Sequence, residues 1–180
     1  MEEERNHQRT GISLAVEFVV IFVVAYILAY GLQNYIFGNF QIQQHSMEPT
    51  LYENDRVLIN RVVYYYSQPQ RRDIVILLDP TGSRNDFVKR VVGLPGEVIE
   101  IRDGQTYINN KRIDEFYLSA DRSNENVGPL RVPGDSYFVM GDNRTVSSDS
   151  RRFGSVKRDN ILGKVMVVWW PVNHSQLPRQ

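Results

Sequence analysis

From Phe18 to Phe37 the chain is almost unbroken apolar sequence, and that run limits the architectures open to it. As a helix it spans roughly 30 Å, about one bilayer core. It has no polar face, and Gln33 and Asn34 come only near its end, which argues against a helix packed inside a soluble core. Arg5 and Arg9 precede it, and no Lys or Arg follows until Arg56. That bias predicts an N-terminus in the cytoplasm and the rest of the chain on the other side. A competing reading is a cleavable leader, because Ala29-Tyr30-Gly31 is a small-x-small site after an apolar region. The run continues past that point to Phe37, which favours a retained anchor. The expected organisation is a cytoplasmic N-terminal segment over 1–17, polar and loose from Met1 to Thr10, a transmembrane anchor over 18–37, an extracytoplasmic β domain over 38–174 and a tail over 175–180.

Beyond the anchor the sequence reads as many short strands. Phe40-Gln41-Ile42-Gln43-Gln44 alternates apolar and polar, the period of a half-buried strand, and would put Gln44 on the same side as Ser46. Asp55 to Ile59, Asp73 to Leu78, Asp86 to Val92, Val98 to Ile101, Ser136 to Met140 and Ile161 to Trp170 follow as further strands. Asp103-Gly104 and Asn109-Asn110 bracket Thr106 to Ile108 as a hairpin. Tyr64 to Gln70 reads as a surface loop. Residues 103–131 read as an inserted excursion, polar and irregular from Glu115 on. The expected fold is mainly β: one N-terminal helix, then an antiparallel barrel or sandwich.

Composition removes several chemistries. There is no cysteine, so thiolate zinc sites and cysteine nucleophiles are excluded. The three histidines are far apart and lack metal-site spacing, so neither a metal nor another cofactor is expected. Net charge is zero, which gives no electrostatic case for nucleic acid. A serine hydroxyl needs a base. His45 is next to Ser46, but successive strand residues face opposite ways, and His174 lies in the tail. No G-x-S-x-G elbow is present. Lys89 is one of only four lysines and lies within an apolar strand, on a face with Phe87 and Val91. Burial there would lower its pKa and make a neutral amine available as general base. A lysine snorkelling from a sheet edge is the plain alternative.

Four stretches carry a resemblance. Ser46-Met47-Glu48-Pro49-Thr50-Leu51, Asp55-Arg56-Val57, Lys89-Arg90-Val91-Val92-Gly93-Leu94-Pro95-Gly96-Glu97 and Gly141-Asp142-Asn143-Arg144, with Ser147, Asp149, Ser150 and Arg151, stand in order behind one apolar segment. In these motifs the chain resembles the bacterial type I signal peptidases (leader peptidases) of the Ser-Lys protease class, over roughly residues 15 to 170. The resemblance implies a membrane-bound serine endopeptidase that removes signal peptides from exported preproteins after a small-x-small motif. It implies Ser46 as nucleophile, Lys89 as general base and Ser147 as the group that orients the lysine. Asp142, Arg144, Asp149 and Arg151 would form ion pairs that hold their loop; the alternative is a solvated turn. The implied setting is the bacterial plasma membrane, with lipid and signal peptides as partners and the secretion translocon nearby. A related Ser-Lys protease such as a self-cleaving repressor, or a non-catalytic membrane-tethered β domain, are the competing classes.

The chain departs from the family ahead of the serine. Members commonly carry a small residue two positions before it, often a serine whose hydroxyl helps hold the oxyanion, and frequently glycine immediately before it; here these are Gln44 and His45. Gln44 is the candidate second oxyanion donor, or else it faces solvent. An extended peptide could add beside residues 40–44. Phe40, Ile42 and Val88 are the candidate pocket walls, or else ordinary core residues.

Overall fold

A computed structural model describes residues 2–31, 36–79, 82, 86–118 and 123–172. The chain forms two compact units, one through Phe37 and one from Gly38 onward.

The first unit is helix α1, Glu2–Gly31. Two expectations change here. The segment from Met1 to Thr10, expected to be loose, is helical from Glu2, and Phe37 opens a strand rather than closing the helix. Apolar side chains from Leu14 to Tyr30 are exposed, including Phe18, Val19, Phe22 and Leu28. The apolar part of α1, Phe18–Gly31, is roughly 21 Å long at the helical rise. Among the described residues no helix is long and apolar enough to cross a membrane. Residues 32–35 of the expected anchor, and the expected tail, lie outside the described residues.

The second unit is mainly β, in two antiparallel sheets. Strands β1 (Phe37–Gln41), β2 (Arg56–Asn60), β3 (Ile74–Leu77), β4 (Phe87–Gly93), β9 (Ser136–Met140), β10 (Val156–Lys157) and β11 (Ile161–Trp170) make a seven-stranded sheet ordered β1-β2-β11-β3-β4-β9-β10. Strands β5 (Val98–Arg102), β6 (Gln105–Ile108), β7 (Lys111–Arg112) and β8 (Val127–Arg131) make a four-stranded sheet ordered β7-β6-β5-β8.

The apolar runs of β3 and β4 follow from burial on both faces. Ile74 and Ile76 pack with Ile42, Met47, Leu51 and Val88 on one side, while Val75 and Leu77 pack with Phe87, Val91 and Tyr137 on the other. A third cluster joins the two sheets through Val92, Ile99, Ile108, Phe138 and Met140. Asp103, Gly104, Asn109 and Asn110 all have positive φ, and each pair turns one strand of the small sheet into the next. Two-residue turns of this kind match the twist of the strands they join.

The expected irregular insertion at 103–131 therefore carries three strands, β6, β7 and β8, while 113–118 and 123–126 lie in no strand. The expected loop at Tyr64 is a single helical turn, α2 (Val63–Tyr66), because the Tyr64 ring is buried and its hydroxyl donates to Asp73 at 2.9 Å. The strand expected over 40–44 stops at Gln41.

Candidate active site

Ser46 sits in one 3₁₀ turn, His45–Met47. The following residues tighten it: Thr50 N–H and Leu51 N–H both donate to the Met47 carbonyl, at 2.8 and 3.0 Å. Met47 and Leu51 are fully buried and fasten the turn to the core. Because the chain leaves extended geometry before Ser46, strand alternation does not relate Gln44 to Ser46, and that expectation loses its basis. Gln44 is exposed and lines the cleft beside Ser46. His45 is exposed and turns to Glu48, 2.7 Å away, and Glu53, 3.6 Å away. The hydrogen bond and charge of Glu48, then the charge of Glu53, raise its pKa.

Lys89 comes from the middle of β4, where it pairs across to Val75. Its Nζ lies 2.8 Å from Ser46 Oγ, and both side chains are buried. The Phe87 ring centre is 5.1 Å from the amine. Burial lowers the Lys89 pKa to about 8; Asp149 and Asp142 oppose the fall and Arg151 adds to it. Near neutral pH a usable fraction of the amine is thus uncharged. Its lone pair can then accept the Ser46 hydroxyl proton.

The loop from Gly141 to Arg151 closes over this pair. Asn143 N–H donates to the Ser46 carbonyl at 3.0 Å, and the Asn143 carboxamide donates to the His45 carbonyl at 3.2 Å. Gly141 passes so close that a Cβ there would overlap Ser147 Oγ and the Ser46 carbonyl oxygen. Asp149 caps α3 (Ser150–Phe153), accepts from Gly141 N–H at 3.1 Å, and takes two 2.8 Å hydrogen bonds from Arg151. Burial alone would raise the Asp149 pKa, but Arg151 outweighs it and the carboxyl ends up below its ordinary value. Asp142 is paired with Arg90 and Arg144 with Glu115, all four buried.

The structure therefore brings Ser46 and Lys89 together, with Asp142, Arg144, Asp149 and Arg151 in ion pairs around them. It does not join Ser147 to Lys89. Ser147 Oγ is buried with no hydrogen-bond partner among the described residues. Phe40, Ile42 and Val88 line a cleft of about 310 Å³ that Ser46 also lines, and they also pack into or against the core. Among the described residues no cluster of His, Cys, Asp or Glu could hold a metal ion. Sequence reasoning missed Asn143 and Thr50, whose hydroxyl donates to Asp142 at 2.5 Å. Both stand inside the quoted motifs, but their partners are remote in sequence.

Fold and pairing together put the chain among mainly β proteins that bury a lysine against a serine. Residues 15–170 match the family described as signal peptidase, peptidase S26, and the chain belongs to that family. It is 40% identical over 148 residues to a probable signal peptidase I-2 of Synechocystis sp., covering 79% of this chain and 67% of that one. It is 39% identical over 153 residues to signal peptidase I S of Bacillus subtilis, covering 79% and 82%. The crystal structure of a signal peptidase I from Enterococcus faecalis is 37% identical, with a TM-score of 0.49 over 54% of this chain and 97% of that chain. As a member of this family the protein is a peptidase of the signal peptidase class.

Proposed function

We propose that this protein is a membrane-bound serine endopeptidase that cleaves signal peptides from exported preproteins after a small-x-small motif. Ser46 is the nucleophile and Lys89 the general base. The observation that carries this reading is the 2.8 Å approach of the buried Lys89 amine to Ser46 Oγ.

In the first step neutral Lys89 takes the Ser46 proton as Oγ attacks the scissile carbonyl. The resulting ammonium returns that proton to the departing amine of the mature chain, leaving an acyl-enzyme. Lys89, again neutral, then takes a proton from the water that hydrolyses the ester. Ser147 is the group that orients the lysine amine. The ion pairs of Asp142 with Arg90, Arg144 with Glu115 and Asp149 with Arg151 keep the loop rigid.

The developing oxyanion needs fixed donors. Ser46 N–H lies in the first turn of a 3₁₀ segment, where backbone donors have no acceptor within the turn. The Gln44 carboxamide, which lines the same cleft, is the second donor. Gln44→Ala is then expected to lower kcat on the order of a hundredfold. An unchanged kcat removes Gln44 from this role.

The substrate lies extended beside the β1 edge of the large sheet, which has no neighbour on its outer side among the described residues. Phe40, Ile42 and Val88, which line the cleft, are the bulky walls that select small side chains. Helix α1 supplies the membrane attachment, supported by apolar side chains exposed on all of its faces and by the continuation of the apolar sequence to Phe37. Arg5 and Arg9, ahead of the apolar run, orient the N-terminus to the cytoplasm of a bacterial cell and the β domain to the outer face of the plasma membrane. Signal peptides emerge there, near the secretion translocon.

The experiment is cleavage of a preprotein in detergent by the intact chain and by Ser46→Ala. The intact chain should release the mature protein and the variant should not. Comparable cleavage by both would end the proposal.

A further inference from the structure

The segment after β7 has the sequence of a polar excursion, yet Glu115 and Tyr117 are among the most buried side chains in the protein. Their partners explain it. The Glu115 carboxylate receives both terminal nitrogens of Arg144, and Tyr117 OH donates to Glu115 Oε1 at 3.0 Å. The Tyr117 ring lies under the Arg90 guanidinium, 3.9 Å from ring centre to Cζ. Each buried arginine continues toward the nucleophile. Arg144 Nε donates to the Gly141 carbonyl at 3.1 Å. Arg90 is held bidentate by Asp142, at 2.8 and 2.6 Å, and Asp142 accepts from Thr50, just after the Ser46 turn. At the other end Arg144 Nη1 donates to Thr106 Oγ1 of β6 at 3.3 Å.

We propose that Glu115 and Tyr117 are positioning residues for peptide-bond cleavage, acting through Arg144 and Arg90 to set the loop at Gly141–Asn143 against the Ser46 turn. The small sheet is then the back wall of the active site. Two carriers converge on one short stretch: Arg144 fixes the Gly141 carbonyl and Arg90 fixes the Asp142 carboxylate. The next residue, Asn143, binds the Ser46 and His45 carbonyls and so sets where the Ser46 N–H points. A Glu115 carboxylate beneath Arg144 keeps that guanidinium from swinging toward solvent and drawing Gly141 with it. The Tyr117 hydroxyl aims the carboxylate, and its ring closes the remaining face of Arg90. A displacement of about 1 Å at the reacting groups is enough to lower turnover by orders of magnitude.

The inference rests on Ser46 as nucleophile, so the intact chain and Ser46→Ala are run alongside. Steady-state cleavage of a small-x-small peptide by the full chain in detergent is measured for Glu115→Gln, Arg144→Gln, the double variant and Tyr117→Phe. Folded fraction is read by circular dichroism. Glu115→Gln and Arg144→Gln should each lower kcat about tenfold to a hundredfold per folded molecule, with KM within about twofold. The double variant should be no worse than the weaker single one, because both remove the same link. Tyr117→Phe keeps the ring and loses one hydroxyl, and should lower kcat by about fivefold. Its fold is the least disturbed, so it decides the matter if Glu115→Gln does not fold. Unchanged kcat per folded molecule in Glu115→Gln or Tyr117→Phe, with only a lower melting temperature, overturns the inference. So does a double variant whose losses multiply. An active Ser46→Ala overturns the assignment of the nucleophile instead. A dead Ser46→Ala beside an active intact chain upholds that assignment, and any change in the Glu115 series then reports on positioning alone.

Discussion

Lys89→Met is expected to give a protein with no measurable peptidase turnover that is more stable than the natural chain. The activity loss follows from removing the buried amine that lies against Ser46 Oγ, and should reach about 10⁴-fold or more in kcat. The stability gain follows from the lysine pKa. Burial brings it down to about 8 from 10.5, so the folded chain gives up this proton before the unfolded chain does. Between those values the unfolded state binds more protons, and stability rises with pH. Below about pH 8 both states are protonated, and the natural protein carries the full penalty of a buried ammonium, about 3 kcal/mol. Methionine removes that penalty, while Ser46 Oγ loses its partner at a cost of about 1 kcal/mol. A melting temperature roughly 5 °C higher at pH 7 is the expected reading. The advantage should shrink above pH 8 as the natural chain sheds its proton. The same titration shapes the rate: kcat/KM of the natural chain should rise about tenfold per pH unit in acid and level off near pH 8. Turnover of Lys89→Met within about tenfold of the natural chain would remove Lys89 from the mechanism.

The balance between a stable core and a working base also bears on what the sequence can reveal. The strands that cross the core are legible because burial on two faces demands continuous apolar runs, as in Ile74 to Leu77. The hairpins of the small sheet are legible because Asp103-Gly104 and Asn109-Asn110 tolerate positive φ. Ser46 and Lys89 stand out because each breaks its surroundings: a serine before a Pro-containing turn, a lysine within an apolar strand. For Gln44 the alternation argument fails because β1 ends at Gln41 and the chain then winds into a 3₁₀ turn. The region around Glu115 and Tyr117 is illegible for a different reason. Polar residues between turn signals suggest solvent, and their burial depends on Arg144, 29 residues on from Glu115, and on Arg90, which precedes Tyr117 in the chain. Local periodicity carries no trace of such a pairing.

Asp142→Ala is the second change from which a large effect is expected. Asp142 and Arg90 have almost no solvent contact, and the carboxylate takes two hydrogen bonds from the guanidinium and one from Thr50. Removing it strips a buried cation of its closest counter-charge, which should destabilise the protein by about 3–5 kcal/mol. Denaturant unfolding of the full chain in detergent, followed through the β-sheet signal, would measure this as a lower midpoint. Replacing both partners, as Arg90→Met with Asp142→Leu, removes both desolvation penalties together, so most of the lost stability should return. Turnover should not return with it. The apolar pair can fill the space but cannot tie the Thr50 hydroxyl to the Gly141 loop, and the Ser46 turn would be held by Asn143 alone on that side. A double variant that recovers stability while staying about a hundredfold down in kcat would show that this ion pair serves geometry rather than folding. Asp142→Ala within about 1 kcal/mol of the natural chain would mean that water reaches Arg90. In that case the loop is held by its backbone contacts, and the buried charges cannot be what aligns the nucleophile.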